Sequence, residues 1–338
     1  MGQTENSNQS GVARDILKIL RCPTCGCGIE DTSGELACAR CRKTYPKVRG
    51  VVRFVDQQDY AGSFGFQWLK YDKTQLDSGG DTRSEIDFTR KTGLRGEDLK
   101  GKLVLDVGCG MGRYAEVVSR WGARVVGIDL SAAVEAAAQN LDRYPATVFQ
   151  ADLFSLPFAQ ESFDYIYSLG VLHHTPDCEQ AFKKLPPLLK AGGGIAIWVY
   201  SAYNKWYRSS DLYRNLTRRM PRKLLHSLCY GTIPLYGVHK ILRKVPFIGG
   251  PVAGILAYLI PMSFDSDPDW RILDTFDWYS PWYQSKHTYE EVFRWFESCG
   301  IEDLHVAGVP VSVRGRKSTR IGFRSVAESE SEVRSCAE

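Results

Sequence analysis

The ten residues Leu103-Val-Leu-Asp-Val-Gly-Cys-Gly-Met-Gly112 constrain the fold of this chain more than any other stretch. An apolar run, Leu103 to Leu105, ends in an acid, Asp106, and alternate glycines follow at Gly108, Gly110 and Gly112. The pattern reads as a buried strand entering a tight turn, where missing side chains let a ligand approach the backbone. A dinucleotide-binding turn carries its third glycine three positions after the second. Here that position holds Arg113, and the third glycine comes one place earlier.

A strand–helix alternation runs on from this turn. Strands are predicted at 103–107, 124–128, 146–150, 164–169 and 194–200, with helical segments near 113–121, 131–142 and 177–190. Such alternation implies a parallel sheet covered on both faces. Residues 201–285 interrupt it, and a helix at about 288–299 resumes it. Thr288 fits the N-cap, Glu290 and Glu291 the first turn, and Gly300 the stop. Two last strands are predicted at 302–308 and 318–325. The divisions expected are a disordered lead (1–12), a cysteine module (13–55) and a connector and cap (56–100). A main domain (101–200 with 286–326), an insertion (201–285) and a mobile tail (327–338) complete them.

The compact turn after Asp106 resembles the first motif of class I S-adenosylmethionine-dependent methyltransferases. That family implies an α/β, Rossmann-like, doubly wound and mostly parallel sheet of seven strands. Ligands of open α/β sheets bind beyond the carboxyl ends of the strands. The resemblance gives Asp106, Gly108, Gly110 and Gly112 the methionine and ribose portions of the cofactor. Asp129 ends Val125-Val-Gly-Ile-Asp129, with Leu130 beside it. Its two carboxylate oxygens suit the two vicinal ribose hydroxyls. Asp152, in Gln150-Ala-Asp-Leu-Phe154, matches the position that receives the adenine amino group, with Leu153 beside the ring. The stretch from Phe163 through Leu169, Gly170 and His173-His174 to Asp177 resembles the small-molecule branch that includes the ubiquinone and menaquinone C-methyltransferases. Leu169 and Gly170 are expected near the cofactor, whereas Asp164, at the strand's entry, reads as structural.

Methyl transfer from a sulfonium is an in-line displacement, so the protein chiefly aligns a nucleophile and excludes water. An acceptor with an acidic proton also needs a base. His173 and His174, on the correct edge of the sheet, are the candidates, and each also reads as a packed or capping residue. Tyr200 and Tyr203 are candidate walls of an acceptor pocket. The aromatic island Phe64-Gly-Phe-Gln-Trp68 reads equally as a cap on the cofactor or acceptor and as a clamp between modules.

Two Cys-x-x-Cys pairs, Cys22/Cys25 and Cys38/Cys41, lie twelve residues apart and can supply four thiolates to a structural Zn²⁺. Four thiolate ligands leave no open coordination position, so this metal is expected to have no catalytic role. Cys27 falls outside the pairing. The segment from Ile16 to Phe54 resembles the zinc-ribbon family related to activators of tRNA methyltransferases. The remaining cysteines, such as Cys109 and Cys178, are scattered singly, and the polar start of the chain has no secretory pattern. A reducing, cytoplasmic setting is expected.

The net charge of +4 is unevenly spread. Lys205 to Lys244 holds ten Lys or Arg and one acid, Asp211, leaving the rest of the chain at 4 − 9 = −5. Aromatic residues interleave with the basic ones, as in Lys205-Trp-Tyr-Arg208. Val245 to Phe264 then has no charged residue, and its prolines and glycines argue against one continuous helix. A lid or interfacial hairpin is predicted; it covers an apolar acceptor and touches anionic lipid headgroups peripherally through its basic half, or equally packs on its own domain with a solvated basic face.

Methyl transfer to a small-molecule or lipid-linked acceptor at O, C or N is therefore the leading expectation. An RNA base methyltransferase is the first alternative, because basic and aromatic residues can bind phosphates and stack on bases. No Asn-Pro-Pro-Tyr-type motif follows the fourth strand, and the uncharged half of the insertion is unlike an RNA groove, so nucleic acid is disfavoured. A non-catalytic cofactor-binding scaffold is the other alternative. It has no need of Asp106, Asp129 and Asp152 together.

Overall fold

A computed structural model of the chain describes residues 12–32, 35–55, 61–77, 81–203 and 207–319. The expected lead and tail fall outside these residues, except for Val12, which is buried.

The chain opens with helix α1 (Arg14–Ile19) and three short antiparallel strands, β1 (Ile29–Thr32), β2 (Glu35–Cys38) and β3 (Thr44–Tyr45). Strands β4 (Lys47–Val48) and β5 (Val51–Arg53) then leave this small sheet for the large one. Helices α2 (Gly62–Lys70), α3 (Arg83–Thr92) and α4 (Gly96–Leu99) lead into the alternating region. There β6 (Leu103–Val107), α5 (Arg113–Arg120), β7 (Arg124–Asp129), α6 (Val134–Asn140), β8 (Ala146–Gln150) and β9 (Phe163–Leu169) succeed one another. Helix α7 (Cys178–Lys183) and β10 (Leu189–Trp198) follow.

The insertion is helical: α8 (Tyr207–Thr217), α9 (Arg222–Cys229), α10 (Thr232–Leu242), α11 (Gly249–Leu259) and α12 (Pro268–Tyr279). Lys205 and Trp206 lie outside the described residues. Helix α13 (Tyr289–Ser298) and strands β11 (Ile301–Val306) and β12 (Ser312–Lys317) complete the fold.

The large sheet runs β11-β12-β10-β9-β6-β7-β8-β5-β4. The pairs from β10 through β8 are parallel, and β12 is antiparallel to both its neighbours. The main domain contributes the seven strands expected, β6 to β12, and β5 and β4 of the cysteine module extend the sheet to nine. Val52 and Arg53 of the cysteine module pair in parallel with Phe149 and Gln150, and β4 pairs back on β5. One apolar core passes beneath this junction, because Leu20, Tyr45 and Phe54 join Phe149, Phe158 and Phe163. Arg53 ties the same junction from above, donating to Gln150 (2.5 Å) and Glu135 (2.6 Å).

Local chemistry explains several boundaries. Thr288 Oγ1 accepts from the Glu291 N–H, and Glu291 Oε2 accepts from the Thr288 N–H, a reciprocal cap at the predicted place. Asp164 accepts from the Leu103 N–H (2.8 Å) and from Lys190 (2.7 Å), binding two strand starts together. The strand predicted at 318–325 lies, beyond Ser318 and Thr319, outside the described residues; the described strand is 312–317, ending just before it. Its central residue is Gly315, where a Cβ would stand 2.6 Å from Ile301 Cγ2. Strand β11 packs so tightly there that glycine is required, although glycine lowers strand propensity.

Candidate cofactor and acceptor site

The three alternate glycines sit where expected, and each has a positive φ: +79° at Gly108, +53° at Gly110 and +92° at Gly112. The turn is fastened to the neighbouring strand. Gly108 and Cys109 N–H both donate to the Ile128 carbonyl (2.8 and 2.9 Å). Gly110 N–H donates to Asp129 Oδ2 (2.9 Å), and Ser131 donates to Asp129 Oδ1 through its N–H (2.8 Å) and hydroxyl (2.7 Å). Burial raises the Asp129 carboxyl above the usual carboxylate range, and these donors oppose the rise.

A cavity of about 490 Å³ opens beyond the carboxyl ends of β6, β7, β8, β9 and β10. That volume is in the range of small-molecule sites. Gly108, Gly110, Asp129, Leu130, Leu153 and Leu169 all line it. Gly112 stands just behind, as the N-cap of α5. Asp106 is also behind the wall, 2 % exposed, and its Oδ2 has no hydrogen-bond partner. Burial, reinforced by the charge of Asp129, pushes its carboxyl up to about 8. Asp152 does not reach the cavity, although its neighbours Ala151 and Leu153 do. Its Oδ1 accepts from the Phe154 N–H (2.9 Å) and caps the following turn.

The two histidines separate. His174 lines the cavity with its ring 5.1 Å from that of Phe64. Its Nδ1 lies 2.9 Å from the Tyr283 carbonyl. A carbonyl can only accept, so Nδ1 carries the proton and Nε2 keeps the basic lone pair. Burial lowers its pKa from the ordinary imidazole value, which keeps the ring neutral. His173 does not reach the cavity. It is fully buried and stacked on Tyr200 with ring centroids 3.9 Å apart, and neither ring nitrogen has a partner. A ring with no path to a substrate packs as an apolar plate, and burial drives its pKa well down.

Sequence reasoning missed the opposite wall. Helix α12 turns one face inward and places Trp270, Asp274, Asp277 and Trp278 on the cavity. Those positions follow i, i+4, i+7, i+8, one side of a helix. Asp267-Pro268 was a legible start signal, because Asp267 accepts from the Asp269 and Trp270 N–H groups. Tyr200 also lines the cavity and donates to Asp277 Oδ2 (3.0 Å). Burial and the neighbouring Asp277 push Asp274 up to about 7. Tyr203 points elsewhere, donating to Glu290 (2.7 Å). The aromatic island resolves in favour of a cap, because Phe64, Gln67 and Trp68 line the cavity from α2. Phe66, on the other face of α2, packs against Phe276.

The four cysteines Cys22, Cys25, Cys38 and Cys41 form a separate cluster whose sulfurs all lie within 4.8 Å of one another. The closest pairs are Cys25–Cys38 (3.3 Å) and Cys22–Cys41 (3.6 Å). Tyr45 donates its hydroxyl to Cys22 Sγ (2.9 Å). Cys27 is not in the cluster.

Residues 105–197 match the family model described as a methyltransferase domain. The chain is 26% identical over 168 residues to a sterol 24-C-methyltransferase of Kluyveromyces lactis, covering 48% of this chain and 44% of that protein. It is 32% identical over 114 residues to a ubiquinone biosynthesis O-methyltransferase of Coxiella burnetii, covering 33% and 47%. It is also 31% identical over 159 residues to phosphoethanolamine N-methyltransferase 2 of Caenorhabditis elegans, covering 44% and 34%. The chain thus spans less than half the length of these curated relatives. With the sheet order and the glycine turn in agreement, residues 105–197 match a methyltransferase domain.

Proposed function

We propose that this chain transfers a methyl group from S-adenosylmethionine to a small-molecule or lipid-linked acceptor. The observation that carries the reading is a single cavity with the glycine turn and Asp129 at one end and His174, Tyr200 and Asp277 at the other. The cofactor, when bound, supplies an electrophilic methyl group. In this reading Asp129 receives a ribose hydroxyl on the Oδ2 lone pair that Gly110 leaves open. Leu130 and Leu153 enclose the adenine, and Gly108 and Gly110 admit the methionine portion. Leu169 borders it from β9. His174, with Nε2 unprotonated, is the candidate base. The relatives' names include C-, O- and N-methyltransferases, so the resemblance leaves the acceptor atom open.

Binding and turnover test this together. The wild-type protein is expected to bind S-adenosylhomocysteine in calorimetry, and Asp129→Ala to weaken it at least about tenfold. Methyl-labelled cofactor is expected to label a lipid extract and not total RNA. Labelling of RNA alone, or no cofactor binding, would overturn the reading.

The cysteine cluster is proposed to hold Zn²⁺ through Cys22, Cys25, Cys38 and Cys41. A tetrahedral ion with Zn–S of about 2.3 Å sets S···S edges of about 3.8 Å, close to the spacing of these sulfurs.

The finer partner proposed is an anionic membrane surface, met peripherally from the cytoplasm. No helix among the described residues is long and apolar enough to cross a membrane. Helices α10 and α11, of 11 residues each, reach only about 16 Å, half a hydrocarbon core. They nevertheless leave Ile233, Val238, Ile241, Ile248 and Ile255 exposed, and Phe247 at the turn between them is 99 % exposed. Exposed Lys240, Arg243 and Lys244 flank that turn. Positive charge beside apolar residues suits anionic lipid better than a second copy carrying the same charge. Salt-sensitive sedimentation with phosphatidylglycerol vesicles, lost on Phe247→Glu with Ile241→Glu, is expected. Equal sedimentation of the variant, or a dimer without vesicle binding, would refute the contact.

A further inference from the structure

The part of the cavity facing α12 is an unusual collection of hydrogen-bond acceptors. Gln67 is 2 % exposed and lines the cavity, yet its Oε1 has no partner. Its amide interacts with Asp277, so the oxygen is the end left over. Asp274 and Asp277 stand on the same wall, each half-buried. Beside them, His174 presents a lone pair, as its Nδ1 proton is taken by Tyr283.

The cations on this wall are already matched. Asp87 pairs with Lys91 (2.8 Å) and Arg113 (3.2 Å), and Asp81 pairs with Arg83 (2.9 Å). Asp274 and Asp277 accept instead from neutral donors, Ser263 (3.2 Å) and Tyr200 (3.0 Å), and neither has an ion-pair partner among the described residues. A hydroxyl brings one donor, whereas a primary ammonium brings three. Trp68 and Trp278 supply indole surface around the same space, which also favours a cation, whereas Trp270 already carries the Arg83 guanidinium 4.1 Å from its ring.

Resting on the methyl-transfer reading above, we propose that this half of the cavity is an ammonium subsite, in which Gln67, Asp274 and Asp277 hold a primary or secondary amine for methylation at nitrogen. The bound ammonium gives one proton to the Asp277 carboxylate or to His174 Nε2. The freed lone pair forms the N–CH₃ bond as the S–CH₃ bond breaks, and the bonding electrons pass to sulfur, leaving a neutral thioether. The product is an N-methylammonium, and the abstracted proton returns to solvent.

The test uses the full chain saturated with S-adenosylhomocysteine and three probes of one shape: n-butylamine, 1-butanol and butyrate. Tryptophan fluorescence titration is expected to show the amine binding roughly tenfold or more tightly than the others, the scale of a charge-assisted hydrogen bond. Asp274→Asn and Asp277→Asn are expected to remove that preference while S-adenosylhomocysteine affinity stays within about twofold. Gln67→Leu, which keeps both carboxyls, is expected to reduce it. Equal or tighter binding of the alcohol or butyrate overturns the subsite, as does no amine binding or a preference unchanged in all three variants. Failure of the wild-type protein to bind S-adenosylhomocysteine overturns the methyl-transfer reading and the subsite with it.

Discussion

Gly108→Ala is the sharpest perturbation of the glycine turn, because the structure separates its cost into two parts. The first is conformational. Gly108 has φ +79°, and an alanine held in the left-handed region costs about 1–2 kcal/mol. The second is steric. A Cβ at this position would lie 2.3 Å from Val171 Cγ2, 2.5 Å from Cγ1 and 2.9 Å from Cβ. Overpacking of that kind costs about 1–3 kcal/mol. Together they predict a loss of about 2–5 kcal/mol in urea denaturation without cofactor. Val171→Ala removes the two nearer atoms and leaves one contact that a shift of a few tenths of an ångström clears. A double-mutant cycle should therefore recover the steric part as a coupling of about 1–3 kcal/mol and retain the conformational part. A coupling near zero would refute the steric argument. A Gly108→Ala protein as stable as wild type would refute both. Since Gly108 and Val171 both line the cavity, the single variant should also bind S-adenosylhomocysteine more weakly than the double.

Asp106 gives a pH prediction. Its carboxyl is raised to about 8 in the fold against about 3.9 in an unfolded chain, so the folded state binds the proton more tightly. Unfolding stability is then highest below pH ~4 as far as this group is concerned, and falls by up to about 1.4 kcal/mol per pH unit until about pH 8. Asp106→Asn should flatten the wild-type slope between pH 5 and about 7.5 in denaturation series, and an unchanged slope would refute the assignment. For the histidines, His174→Ala should lower kcat by about 100-fold or more with little change in cofactor affinity. His173→Phe should mainly shift Tm, and a kcat loss equal to that of His174→Ala would contradict the geometry. Cys38→Ser, measured by zinc content per chain and by Tm, should lose both metal and stability; a full zinc complement would show that the cluster is not the binding site.

The sequence made the cofactor half readable because strand ends announce themselves locally. An apolar run closed by an acid, as at Asp106 and Asp129, fixes both the strand and the side of the sheet that carries the ligand. The limits were set by tertiary context. Asp152 had the right spacing, but it does not line the cavity and its Oδ1 caps the following turn, a placement that pattern cannot reveal. His173 and His174 are adjacent in sequence, and only the turn at Leu172–His174 decides which ring faces the cavity. Helix α12 lay inside an insertion with no family pattern to guide it, so nothing in the sequence singled out Asp274 and Asp277. Strand β5 is three residues long, too short for any periodicity, and its place depends on residues about a hundred positions away.

That short strand has a consequence for how the protein keeps itself apart from its neighbours. Without β4 and β5, β8 would present a row of unpaired backbone N–H and C=O groups, and such an open edge recruits strands from other chains. Val51, Val52 and Arg53 cover it, and they are held by a module too small to carry a large core of its own. The thiol cluster therefore reaches beyond its own thirty or so residues. Loosening it would uncover an adhesive margin on the main sheet, so chelation or oxidation of these cysteines should show first as self-association and only later as loss of secondary structure.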